Sequence, residues 1–443
     1  MSPARRQLLK LGLATLGAGG GLIWSVARSG SAIMSLPLRS ALPEASKNEG
    51  WPTLFGPRHD SISREPGIVA GWTAAGPREL WRINVGTGYS SPVAMADSIY
   101  LLHRLGDEEV VEAFHIDTGE SRWQQRYPTQ FRCRFEYSHG PYASPVIDGD
   151  RLYTYGAEGV LHCWELRTGR VIWSRALNRE YEVPEPLFGA SSSPLIEGEL
   201  LILNVGGTKH GAGIVAVDKH SGKTIWKSLA DGAGYATAKA ATIADRHYIF
   251  TLTHEHFVAL DPVDGRVYWQ IPFCSKLPDA CNATSPLVVD DLVLVCCGPG
   301  PGSLCVQVLP DGSYRQVWSD RRVLDSTWTN LVHVAGYVYG CSSKRRRAAL
   351  QCVELSTGKL MWSHESDLGR AATLVAGGRL IAWGEQGNLV TIELNHRQAI
   401  VGSLMDEPLL EPPCYSAPAL HRGRLVVRNE REMLALDLRA TST

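Results

Sequence analysis

Apolar residues gather along this chain in runs of about four to eight, bounded by Gly, Asp, Asn and Pro. That length and punctuation suit β-strands rather than helices. Asp148-Gly149-Asp150 leads into the run Arg151-Leu152-Tyr153-Thr154-Tyr155, and Gly159-Val160-Leu161-His162-Cys163-Trp164-Glu165-Leu166 supplies another. A Gly turn and a Trp-ended strand close the unit, Arg167-Thr168-Gly169-Arg170-Val171-Ile172-Trp173. The same phrase ends at Trp123, Trp226, Trp269 and Trp362, with a blurred copy at Trp318. Gly takes the positive φ of a tight turn, and Asp bonds its own backbone nearby, so the turn chemistry predicts hairpins. The recurrent Trp offers a broad apolar face to wedge between neighbouring units.

With Trp81 included, successive Trp positions lie 42 to 53 residues apart. That is the size of one four-stranded propeller blade. Most units open on a short segment headed by Ser-Pro: Ser91-Pro92, Ser144-Pro145, Ser193-Pro194 and Ser285-Pro286. Sets of three inner strands are predicted at 91–117, 144–167, 193–218, 237–261, 285–309, 329–355, 371–395 and 416–438. An outer strand without Trp is placed at Ile400-Val401-Gly402-Ser403-Leu404. The set at 416–438 has no outer strand after it, and Leu80-Trp81-Arg82-Ile83 has no set before it. The two complete one blade. The prediction is an all-β, eight-bladed propeller of four-stranded antiparallel blades, closed by amino- and carboxy-terminal strands, which leaves few exposed edges. Seven blades is the alternative, because the Trp318 unit is the least regular.

The phrases Val215-Ala216-Val217-Asp218 to Trp226 and Phe257-Val258-Ala259-Leu260-Asp261 to Trp269 resemble the repeat of the PQQ-like (pyrroloquinoline-quinone-type) propellers. The resemblance covers about residues 50–440 and extends to Trp51-Pro52 and Phe55-Gly56-Pro57-Arg58, before the first blade. That superfamily holds quinoprotein dehydrogenases and a non-enzymatic lipoprotein of outer-membrane β-barrel assembly. The resemblance implies the fold. It leaves the chemistry open, since one scaffold carries many functions.

Residues 1–45 form a separate segment. Arg5, Arg6 and Lys10 precede an uncharged stretch from Leu11 to Ala27, and no acidic residue occurs before Glu44. Ser2-Pro3-Ala4-Arg5-Arg6-Gln7-Leu8-Leu9-Lys10 looks like a twin-arginine export signal, and a membrane tether through residues 8–27 is the alternative. Either reading puts the domain at 46–443 outside the cytoplasm, in the periplasm or anchored to the membrane. The segment has no Cys, so the lipid anchor of the assembly lipoprotein is not expected.

Net charge is -1 over 443 residues, which argues against a nucleic-acid partner. Lys344-Arg345-Arg346-Arg347 is a local exception, read as a solvated hairpin loop or an anion site. Of the ten Cys, the pairs Cys274/Cys281 and Cys341/Cys352 are candidates for disulfides in an exported protein; buried thiols are the other reading. Cys296-Cys297 resembles the vicinal pair that packs on the quinone ring in methanol-type dehydrogenases. His254-Glu255-His256 offers two imidazoles but no further ligands nearby. A PQQ site with Ca²⁺ would need a carboxylate-rich ligand set, and no compact Asp-rich loop supplies one.

Two long junctions carry aromatics and charge. Arg132, Arg134, Phe135, Tyr137 and His139 lie on one, and Tyr181, Glu185 and Phe188 on the next. Trp328 follows a similar junction. In a propeller these junctions share the face where the innermost strands begin, so they are the candidate recognition surface. The expectation is a non-enzymatic envelope scaffold, monomeric alone and without cofactor, that binds a protein or polymer. A PQQ- and calcium-dependent oxidoreductase is the second reading, and a polysaccharide- or small-ligand-binding propeller the third.

Overall fold

The computed structural model describes residues 49–439 apart from 136, 185–187, 278–281, 344–347 and 406. The leader at 1–45, Glu185, Cys281 and the 344–347 loop therefore lie outside or largely outside the described residues. The described strands form eight four-stranded antiparallel sheets. Blade 1 comprises Val93–Met95, Ser98–Leu105, Glu108–His115 and Ser121–Pro128. Blades 2 to 7 follow in chain order at 146–176, 195–228, 239–272, 287–320, 332–365 and 371–404. Blade 8 takes Ala419–His421, Arg424–Arg428 and Glu432–Asp437, and its outermost strand is Arg78–Asn84. The count is eight, and closure occurs in the blade that the leftover strands foretold.

The core lies between blades rather than inside one. Phe250, Phe257 and Trp269 of blade 4 pack with Val293, Val295 and Val306 of blade 5, all buried. The repeated Trp sits at the outer end of most such seams. An added Cβ on Gly169 would stand 2.4 Å from the Trp123 ring, and one on Gly265 would stand 2.4 Å from Trp226. Gly265 also has φ of +74°. Both facts demand glycine: the ring covers the turn of the next blade, and the turn needs left-handed backbone. The indole N–H then donates across the seam. Trp81 donates to Ile116 O at 2.9 Å, Trp226 to Pro262 O at 2.9 Å, Trp318 to Leu355 O at 2.7 Å and Trp362 to Asn395 O at 2.7 Å. Trp123 and Trp173 do the same to Leu166 O and Lys219 O.

Trp269 breaks the pattern, and this explains the blurred unit that follows it. In blade 5 the turn glycine, Gly312, faces Arg246 instead of the Trp. Trp269 meets the Tyr314 ring at 4.8 Å, and its buried Nε1 has no hydrogen-bond partner among the described residues.

The Ser-Pro heads have a second role. Their hydroxyls tie blade to blade around the central channel. Ala417 N donates to Ser91 Oγ at 2.7 Å, Ser91 N to Ser144 Oγ at 3.0 Å, and Ser144 N to Ser193 Oγ at 2.9 Å. Ser193 N continues to Thr237 Oγ1 at 3.2 Å, and Thr237 N to Ser285 Oγ at 3.0 Å. Asn330 takes over in blade 6, where its Oδ1 accepts Thr373 N at 2.9 Å. Ser144→Ala leaves the buried Ser91 N–H without an acceptor and is expected to cost about 1–3 kcal/mol in chemical denaturation. Ser144→Thr, which restores the hydroxyl found naturally at Thr237, is expected to recover most of it.

The segment before the first blade crosses the channel. Trp51 N donates to Ala94 O at 2.7 Å, Ile147 N to Pro52 O at 2.9 Å, and Ser63 N to Val375 O at 2.8 Å. Asn330 Nδ2 reaches Ser61 Oγ at 2.9 Å. From blade 4, Lys239 donates to His59 O and places its ammonium 4.2 Å from the centre of the Phe55 ring. Residues 51–63 thus touch blades 1, 2, 4, 6 and 7 and act as a plug.

The cysteine expectations meet strand register. Cys341 faces Leu350, and Cys352 faces Tyr339. The two thiols are therefore out of register by two residues, and both are free and buried, so the candidate Cys341–Cys352 disulfide is not formed and the buried-thiol alternative describes this pair. Cys296 faces Ser303, and Cys305 faces Leu294, which separates them in the same way.

Candidate functional site

Above the plug the channel opens into a cup of about 220 Å³. Its wall is written in the repeat. Each blade contributes two residues spaced by two, which puts both side chains on one face of an extended segment. The lower tier is Ser91, Ser144, Ser193, Thr237, Ser285, Asn330, Ala372 and Ala417. The upper tier, two residues earlier, is Tyr89, Tyr142, Ser191, Tyr235, Ala283, Trp328, Arg370 and Tyr415. Leu54 and Phe55 of the plug form the floor.

The upper tier is a belt of touching rings. Tyr89 lies 5.5 Å from Tyr142 and 4.9 Å from Tyr415, both edge-on, and Trp328 lies 5.3 Å from Tyr415. Two loop residues extend the belt over the lip. Tyr137 meets Phe188 at 5.5 Å and Tyr415 at 6.4 Å, and Phe188 meets Tyr235 at 5.8 Å. Edge-on contacts of this kind fix ring positions beyond what area burial provides.

Among the described residues, one charged group lines the cup. Arg370 Nε donates to Glu385 Oε2 at 2.7 Å, and Arg370 Nη2 donates to Tyr415 Oη at 2.9 Å. Its guanidinium sits 5.0 Å from the Tyr415 ring and 5.7 Å from the Trp328 ring. Burial raises the phenols of Tyr89, Tyr142 and Tyr415 above their ordinary value, so all three keep their protons.

The sequence candidates divide. Phe135, Tyr137, Phe188 and Trp328 come together: Phe135 stacks on Phe188 at 5.2 Å behind the lip, and the other three line the cup. Arg132 and His139 stay outside the lining. Arg132 is exposed and pairs with Asp107 at 2.7 Å, while His139 Nδ1 accepts Cys133 N at 3.1 Å. Arg134 is exposed on the same loop. Tyr181 is carried elsewhere by the helical turn Leu177–Glu180, and its hydroxyl lies 2.7 Å from Thr224 Oγ1 on the outer strand of blade 3. Tyr89, Tyr142, Tyr235, Arg370 and Tyr415 were not among the candidates. The signal that finds them is their place two residues ahead of the repeat position that Ser-Pro holds at Ser91 and Ser144, and that Thr237, Ala372 and Ala417 hold in other blades.

With this geometry in view, comparison with known proteins is informative. A family model described as outer membrane protein assembly factor BamB matches residues 107–364, more than half of the chain. The chain belongs to that family. A BamB of Moranella endobia (strain PCIT) is 22% identical over 281 residues, which cover 58% of this chain and 67% of that protein. The solved BamB of Moraxella catarrhalis has a TM-score of 0.60 at 17% identity and covers 83% of this chain and 100% of its own. The quinohemoprotein alcohol dehydrogenase of Comamonas testosteroni has a TM-score of 0.66 at 14% identity, with coverages of 92% and 82%. At these identities the two structures report a shared fold.

The BamB-family cup does not fit a quinone–calcium pair. Calcium takes six to eight oxygens, with carboxylates carrying charge. The lining residues named above provide hydroxyls, one guanidinium and one amide, and no carboxylate. The Asn330 carbonyl is already committed to Thr373 N. Cys296 and Cys297 are buried in two different inter-blade clusters, and neither lines the cup. His254-Glu255-His256 is likewise dispersed: His256 Nδ1 lies 2.8 Å from Asp231, and Glu255 accepts Gly232 N at 2.9 Å. Among the described residues, no group of three His, Cys, Asp or Glu is placed to hold a metal.

Proposed function

We propose that this BamB-family chain is a non-enzymatic scaffold of the cell envelope that holds a protein partner on the face bearing the aromatic cup. The observation that carries the reading is the cup itself: a plugged, aromatic-lipped recess with no carboxylate among its described lining residues. Rigid aromatic anchors around a recess are what interface hot spots are made of. The seam-locked blades keep the lip in place, so recognition needs little reorganisation. The relatives named as outer membrane assembly factors support an envelope partner.

The test is photo-crosslinking in the native host with benzoylphenylalanine at Tyr137, which is 40% exposed on the lip. A discrete envelope protein is expected to be captured there, and not from Val263, which lies on the far outer turn and is 77% exposed. Equal capture at both positions would sink the reading. Titration of the protein with pyrroloquinoline quinone, with and without Ca²⁺, is expected to give no saturable heat. Stoichiometric, Ca²⁺-dependent binding would replace the scaffold by an oxidoreductase.

A further inference from the structure

The hydroxyls of the lower tier have a shared polarity. Ser91, Ser144, Ser193, Thr237 and Ser285 each accept a backbone N–H from the neighbouring blade. A hydroxyl has one proton to donate, and no acceptor for these five protons is found among the described residues. They therefore present O–H donors to the cup. The upper tier repeats the pattern at two positions. Tyr89 Oη accepts Ser138 N at 3.3 Å and Tyr415 Oη accepts from Arg370, which leaves both phenolic protons to be donated. Arg370 itself has only donors, and its side chain is 23% exposed. Each of these hydroxyls also keeps a lone pair, and Tyr142, which donates to Ser138 O at 2.6 Å, and Ser191, which donates to Gly189 O at 3.1 Å, present acceptors, so among the described lining residues Arg370 is the group that can only donate.

The Arg370 guanidinium beside the aromatic belt selects a ligand class. A sugar can exchange hydrogen bonds with the hydroxyls but brings no charge for the guanidinium. An anion with a flat apolar body matches both the guanidinium and the belt. The size is also restrictive. At about 220 Å³ the recess exceeds the roughly 150 Å³ that holds a benzene. It falls short of the roughly 300 Å³ at which drug-sized pockets begin. One ring and a small polar group fill it.

We infer that the cup binds an aromatic carboxylate, with the ring against Phe188, Tyr235 and Trp328 and the carboxylate toward Arg370 and the hydroxyl tier. The inference rests on the reading of this face as the recognition surface and names what is recognised there. Two sources share the chemistry: a free aromatic acid, and the carboxy-terminal aromatic residue of a polypeptide. The Arg370–Glu385 ion pair holds the guanidinium at the wall and leaves its Nη1 protons for the ligand.

The experiment is calorimetric titration of the full chain with N-acetylphenylalanine and its amide, and with a pentapeptide ending in Phe as the free acid and as the amide. Both acids are expected to bind, and each amide to bind about ten-fold or more weakly, the scale of one charge-assisted hydrogen bond. A pentapeptide acid about ten-fold tighter than N-acetylphenylalanine identifies a chain end as the source; equal affinities identify the free acid. Arg370→Met is expected to abolish the acid preference, and Phe188→Ala to weaken both acids. Should Arg370→Met fail to fold, the acid–amide comparison on the unaltered protein decides alone. Equal affinity for acid and amide, or no binding by either acid, overturns the inference. Capture of a partner at Tyr137 with no acid binding would overturn it while leaving the scaffold standing.

Discussion

Trp226→Ala is expected to lower the unfolding free energy by about 3–5 kcal/mol, the range for removing a large buried aromatic. The ring covers Gly265 of the next blade, and its N–H donates to Pro262 O at 2.9 Å. Alanine opens a cavity at the seam and leaves a buried carbonyl short of a donor. Two phenylalanine variants separate these effects. Trp226→Phe keeps most of the ring and loses the hydrogen bond, so it is expected to cost about 1 kcal/mol more than Trp269→Phe. Trp269 makes no such bond, because its Nε1 has no hydrogen-bond partner among the described residues. Urea denaturation of the three variants checks the order. Equal losses for the two Trp→Phe variants would show that the indole bond contributes nothing.

The second large effect concerns Lys239 and the plug. Burial pulls its amine down from 10.5 to about 7, against the attraction of Asp60. The unfolded chain carries an ordinary lysine. Between about pH 7 and pH 10 the unfolded state holds a proton that the folded state lacks, so stability rises with pH across that window. Below it the amine is charged in both states, and the full cost of burying it remains. The slope approaches about 1.4 kcal/mol per pH unit. Partial exposure of the side chain reduces the total to on the order of 2–3 kcal/mol. Lys239→Met is expected to remove this rise and to be more stable than the unaltered protein near neutral pH. His59 lies next to it, and burial pulls its imidazole down to about 3. It adds the same sense of dependence below pH 6.5: stability falls as the pH drops toward 3. A Lys239→Met variant with an unchanged alkaline slope would assign that slope to other groups.

What could be read in advance follows from what repeats. The Trp-ended phrase gave eight blades and the closing blade because most seams use the same ring, turn and carbonyl. The Ser-Pro heads were visible for the same reason. The plug was not legible, since Lys239 meets His59 across 180 residues and Asn330 meets Ser61 across 269. No periodicity records such pairs. Tyr181 was placed at the mouth because its loop resembles the one bearing Tyr137, but a single helical turn redirects it. Arg370 and Tyr415 were overlooked because each is one residue in a separate repeat. Only alignment of the repeats on their hydroxyl position reveals the column they share. Cys341 and Cys352 show the limit of adjacency, since neighbouring strands can still be two residues out of step.

The closing blade has a consequence for the order in which the chain is made. Arg78 and its ion-pair partner Asp437 are 359 residues apart. The strand Arg78–Asn84 leaves the ribosome early and waits for Glu432–Asp437 before its backbone has a lasting partner. Until then the growing ring is an open arc with two unpaired edges, both of which invite pairing with another chain. Completion is therefore a late, single event. A secretion route that threads unfolded chains would have to protect those edges on the far side, whereas one that moves finished proteins would carry the ring already shut.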